Sequence, residues 1–160
     1  MEQIRDAQVM RLIERIGEHY RTNIANRYIR TVLLQMSLDK TTWNQIETLT
    51  EKFDQFRYRG IDLDELYRGI AAVARFVSAT RREVAPTLRH RVDGGSSGPD
   101  KVLRDMAVNA FSSNLNLFAE MVCELYEKVK EIDALSATSK PPVFQQVAEF
   151  NNLHDMLMNG

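Results

Sequence analysis

Cys123 is the only cysteine among the 160 residues, and His19, His90 and His154 are the only histidines. These are the side chains that could supply a nucleophile, a general base or a soft metal ligand. A catalytic thiol needs a base beside it, and a metal site needs several ligands on one face. In the sequence each histidine stands alone, with no cysteine or second histidine at helical spacing. Cys123, next to Val122 and close to Leu125, therefore reads as a small buried hydrophobe. Asp62, Asp64 and Glu65 look superficially like the start of a calcium loop. The glycine and final glutamate of that 12-residue pattern are missing, so they read as helix caps. No GxGxxG, phosphate-binding loop, HExxH or paired cysteines occur. No catalytic residue, cofactor or metal is expected, and an enzyme fragment is the weakest of the functional classes.

Arginine is the residue type with a functional edge. Arg5, Arg11, Arg15, Arg21, Arg27 and Arg30 come first, followed by Arg57, Arg59, Arg68, Arg75, Arg81, Arg82, Arg89 and Arg91. Guanidinium forks suit carboxylates and phosphates, so an acidic protein surface or a nucleic acid are both candidate partners. Glu14, Glu18, Glu47, Glu51, Asp54 and Glu83 are interspersed, however, and no face becomes strongly basic. A solvated surface laced with ion pairs is the simplest reading.

The elements that must position these residues are helical almost throughout. Val9, Ile13, Ile16, Tyr20, Ile24, Tyr28 and Val32 recur three or four apart, which predicts one long helix of roughly 30 residues. Asn23–Asn26 is its weak point. Thr42 and Gln45 make a capping box for a second helix bearing Trp43, Ile46, Leu49, Phe53 and Phe56. Asp62 caps a third, with Leu63, Leu66, Ile70, Val73 and Val77 as its stripe. Pro99 and Asp100 start a second long helix through Leu103, Met106, Ala110, Leu115, Phe118, Val122, Leu125, Val129 and Ile132, with Ser112–Asn114 as a place to bend. Val143, Phe144, Val147, Phe150, Leu153 and Met156 give a short last helix after Pro141-Pro142. The methionines mostly fall on these stripes and read as core. No segment alternates with period two for long enough to propose a sheet.

Between the third helix and the second long one stands Val92-Asp93-Gly94-Gly95-Ser96-Ser97-Gly98. Gly-Gly-Ser-Ser-Gly cannot pack and behaves as a flexible tether, and Val-Asp is the kind of dipeptide an in-frame cloning junction leaves. Composition changes across it. Residues 1–92 carry 16 Lys and Arg against 12 Asp and Glu, whereas residues 99–160 carry 5 against 9. Fourteen of the basic residues before the tether are arginine, against one after it. The reading is a single-chain fusion: 1–92 as a three-helix segment from a first subunit, 93–98 as an engineered linker, 99–160 as a two-helix segment from a second.

Burial then sets the architecture. A 30-residue helix is ~45 Å long, more than two shorter helices can cover, and the second long helix has only one short companion. Each segment exposes an apolar face that the other can bury. The expected fold is an all-α bundle of about five helices, two of them long. The expected contact residues are Trp43, Phe53, Phe56, Leu66, Ile70, Val73, Phe118, Val122, Leu125, Val129, Phe144, Val147 and Phe150. The last three also resemble a short amphipathic anchor lying in a groove. The expected function is a non-enzymatic protein–protein interaction module, an assembly interface between two subunits of an intracellular complex. The alternative is an arginine-rich helical nucleic-acid-binding domain. No window of about 18 apolar residues occurs, the opening residues resemble neither a secretory nor a transit peptide, and a lone cysteine suits a reducing compartment, so cytoplasm or nucleus is expected.

Overall fold

A computed structural model of the chain describes residues 3–4, 6–24, 51, 61–79, 81, 99–136 and 141–159. Apart from Glu51, the expected second helix with Trp43, Phe53 and Phe56 lies outside the described residues, as does the expected tether at 93–98. What is described is an all-α bundle.

Helix α1 spans Ala7–His19. It starts where Asp6 accepts hydrogen bonds from the main-chain N–H groups of Gln8 (2.8 Å) and Val9 (3.1 Å), satisfying two of the donors a helix start leaves open. Its stripe of Val9, Ile13 and Ile16 is buried, and so are Tyr20 and Ile24 in the turn that follows. That turn, Tyr20–Ile24, widens to i→i+5 hydrogen bonding. The distortion falls where Asn23 made the sequence weak; its side chain bonds His19 Nδ1 at 3.0 Å.

Helix α2, Leu63–Ala79, opens with the cap read from sequence: the Glu65 N–H donates to Asp62 Oδ1 at 2.7 Å. Leu63, Leu66, Ile70, Val73 and Val77 are all buried, and Tyr67, Ala71 and Ala74 widen the stripe. Ahead of the two helices, Gln3–Ile4 (β1) pairs antiparallel with Ile61–Asp62 (β2), Gln3 opposite Asp62 and Ile4 opposite Ile61. Two residues a side are too few to leave a period-two signal. The pairing ties the segment before α1 to the residues that lead into α2.

Helix α3, Pro99–Ser136, is a single element of 38 residues that runs unbroken through Ser112–Asn114. Phe111, Leu115, Phe118, Val122, Leu125 and Val129 are buried. The expected stripe is corrected at its start: Met106 is 63% exposed, Val102 59%, and Ala110 also faces solvent. Length explains this. At ~57 Å, α3 outruns the described helices packed on it, and Phe111 is its first buried residue among the described side chains. Met158 is likewise exposed rather than core.

The expected last helix is three short ones. Val143–Gln146 (α4), Ala148–Asn151 (α5) and Leu153–Asn159 (α6) follow one another, with Val147 extended between the first two (φ −124°, ψ 118°). The break changes which face points inward. Phe150, Leu153 and Leu157 are buried, while Phe144 and Val147 pack half-buried at the core margin. A β-branched residue tolerates the extended conformation readily, and the re-aimed Phe150 reaches the bundle centre. Helix α6 packs on both α2 and α3, and α1 packs on α3, so one continuous apolar core joins them.

Ring contacts fix that core. Tyr20 lies against Phe118 with centroids 5.3 Å apart. Tyr67 stacks on Phe150 at 5.1 Å and meets Tyr126 edge-on at 6.2 Å. Replacing Phe118 by alanine should therefore destabilise the chain by about 3–5 kcal/mol. The exposed ion pair of Arg75 with Glu149 gives the contrast, and Arg75→Ala should stay below about 1 kcal/mol. Urea unfolding of the two variants reads both; comparable losses would show that the Tyr20–Phe118 packing is not the stronger element.

Candidate functional site

The structure gathers polar chemistry at two places on α3. The first is a buried network around Asp133, 3% exposed. Its Oδ2 accepts from the Tyr67 hydroxyl at 2.8 Å and from the Phe144 N–H at 3.1 Å, and its Oδ1 accepts from the Val143 N–H at 3.0 Å. One carboxylate thus caps α4, whose own preceding residue, Pro142, offers no side-chain cap. It also ties α2 to α3. Tyr126 donates its hydroxyl to the Phe150 main-chain carbonyl. Burial, then the bond to Asp133, drives the Tyr67 hydroxyl far above the ordinary phenol value. Burial, then the charge of Glu127, pushes Tyr126 up to about 12. Both stay protonated donors at physiological pH. Among the described residues no buried side-chain nitrogen or oxygen lacks a partner.

Other polar contacts also run between the two ends of the sequence. His19 Nε2 lies 3.1 Å from the Asn114 main-chain oxygen. With Asn23 Nδ2 3.0 Å from Nδ1, the ring is held at both nitrogens. Arg81, just beyond α2, donates to Asn116 Oδ1 (2.9 and 3.2 Å) and to the Leu157 carbonyl in the last turn of α6. Of the expected contact residues, Leu66, Ile70, Val73, Phe118, Val122, Leu125, Val129 and Phe150 share one core, and Phe144 and Val147 lie at its edge. Sequence reading missed Tyr67, Tyr126 and Asp133. The signal was present: Val122, Tyr126, Val129 and Asp133 keep the spacing of the stripe, and an aspartate on its next step is out of place unless partnered.

The second place is Cys123. Isolation of the histidines in sequence does not carry over to space: His154 of α6 brings Nδ1 to 3.1 Å from Cys123 Sγ. Glu127 Oε1 lies 3.3 Å from the same nitrogen. Cys123 and Glu127 are one helical turn apart on α3, and only a contact with a distant helix could complete the trio. The thiol is buried, while Glu127 and His154 are about half exposed. A base now stands beside the cysteine, but the arrangement is not a catalytic triad. There the carboxylate orients the base through its far nitrogen; here thiol and carboxylate face one nitrogen. Burial, then the charge of Glu127, raises the thiol above its ordinary value, with Lys130 opposing more weakly.

Beside this cluster an open groove of about 930 Å³ runs between α1 and α3. Arg11, Arg15, Lys128 and Lys130 line it together with Glu124, Glu127, Glu131 and Phe144. Lys130 Nζ sits about equally over the Tyr126 and Phe144 rings, at 5.1 and 5.0 Å. The alternating signs leave no phosphate-binding patch there. No described helix is long and apolar enough to cross a membrane.

No protein-family model, curated protein or solved structure matches this chain.

A raised thiol holds its proton at neutral pH and is a poor nucleophile. Alkylation of Cys123 by iodoacetamide at pH 7 should run well below the rate of a free cysteine, and accelerate only above the ordinary thiol range. Fast alkylation at pH 7 would instead reveal a thiolate–imidazolium pair.

Proposed function

We propose that the chain is a non-enzymatic interaction module in which residues 1–92 and 99–160 are two partners of one assembly, joined by the Gly/Ser stretch at 93–98. The observation that carries this reading is where the partnerships run. The Tyr20–Phe118, Tyr67–Tyr126 and Tyr67–Phe150 ring pairs each take one member from either side of the tether. So do the Tyr67–Asp133, His19–Asn114, Arg81–Asn116 and Arg75–Glu149 contacts. Neither segment satisfies its buried polar groups alone: without 1–92, Asp133 loses its hydroxyl donor. An interface with an apolar centre, partnered aromatic anchors and a charged rim has the anatomy of a specific protein–protein contact. The opposite net charges of the two segments favour their encounter. An intracellular assembly of two subunits is the setting that this interface and the single free cysteine fit.

Nucleic-acid binding fits less well. Arg68, Arg75 and Arg81 are engaged with Asp64, Glu149 and Asn116 within the protein, and the groove that holds Arg11 and Arg15 also carries Glu124, Glu127 and Glu131.

The test is to place a protease site between Gly94 and Gly95 and cleave it. The two fragments should elute together on a sizing column at micromolar concentration. Leu125→Glu, which sets a charge in the shared core, should separate them. Elution of intact, folded fragments apart from each other without the substitution would contradict the reading, as would undiminished association of the Leu125→Glu protein.

A further inference from the structure

We propose that Cys123, Glu127 and His154 form a three-ligand site for a zinc-class divalent cation, which fastens α6 to α3. The donor atoms of the three side chains, Sγ, a carboxylate oxygen and Nδ1, all lie within 4.8 Å of one another. Zinc bonds of about 2.3 Å to sulfur and 2.0–2.2 Å to nitrogen and oxygen, at tetrahedral angles, put donors roughly 3.4–3.6 Å apart. The separations from Nδ1, 3.1 Å to sulfur and 3.3 Å to oxygen, are slightly shorter than these values, within reach of side-chain adjustment around an ion.

The donor set decides the class of ion. A thiolate with an imidazole suits zinc, whereas calcium and magnesium take all-oxygen shells. On binding, the Cys123 thiol releases its proton to solvent, and the sulfur lone pair forms the metal bond. His154 binds through the Nδ1 lone pair and keeps its proton on Nε2, and no oxidation state changes. Because Glu127 and His154 are half exposed, the fourth position is open to water.

The fold gives such an ion something to do. Helices α4, α5 and α6 have four, four and seven residues, too short to persist without tertiary support. Helix α6 carries Leu153 and Leu157 into the core. A bond from His154 to ligands on the 38-residue α3 would hold that element in place within residues 99–160, independently of whether 1–92 is a separate partner.

The experiment uses the full chain, reduced and metal-free, titrated with Co²⁺ and then Zn²⁺. One equivalent of Co²⁺ should give a thiolate-to-cobalt charge-transfer band in the near ultraviolet together with visible bands of tetrahedral intensity, and Zn²⁺ should displace it. Cys123→Ser should abolish the charge-transfer band. His154→Gln, at an exposed position that leaves the fold intact by circular dichroism, should weaken binding at least as much as the roughly 10–100-fold that follows loss of a ligand's outer partner. Zinc should raise the melting temperature of the parent protein and not of His154→Gln. Absence of the charge-transfer band at one equivalent, or an equal zinc-induced shift in His154→Gln, would overturn the site.

Discussion

A carboxylate taken out of water must be met by donors from the protein, because stranding it costs more than almost any packing contact returns. Asp133 is that group here, and its three donors come from two separate parts of the chain: the Tyr67 hydroxyl of α2 and the Val143 and Phe144 N–H groups of α4. Meeting all three fixes the axial position of α2 against α3 and the point where the chain after α3 turns back. The stacking of Tyr67 on Phe150 and the bond from Tyr126 to the Phe150 carbonyl follow from that placement. A polar group of this kind is a device for specificity rather than raw stability. A one-turn slip of α2 would keep apolar against apolar and leave Asp133 without its hydroxyl.

Much of this fold was legible because helices announce themselves by period. The stripes Val9–Ile24, Leu63–Val77 and Phe118–Val129 are buried as their spacing requires, and Asp62 caps α2 as its place before an apolar run implies. What failed to show in the sequence were features set by tertiary contact. Val147 breaks the last helix because Phe150 must reach Tyr67 and Tyr126, which no local signal records. Met106 and Ala110 hold the right spacing yet face solvent, since spacing does not say how far the covering helices extend.

The Cys123 cluster was hidden for a related reason. Cys123 and Glu127 are a turn apart, a common pairing with no meaning by itself, and His154 lies 27 residues further on in sequence than Glu127. Their meeting depends on α6 packing back along α3, and that return is directed by Asp133 capping α4. The buried network and the half-exposed cluster are therefore linked: the first sets the path of the chain after α3, and the second lies where that path comes back.

On this physical argument the Tyr67–Asp133 bond, beyond generic apolar burial, selects how α2 meets α3. A double-mutant cycle with Tyr67→Phe and Asp133→Asn, read by urea unfolding of the full chain, isolates that bond from the packing around it. A coupling of about 1–3 kcal/mol is expected for a buried hydrogen bond to a charged group. Losses that add to within roughly 0.5 kcal/mol would mean the two side chains act independently, and would contradict that role for the bond.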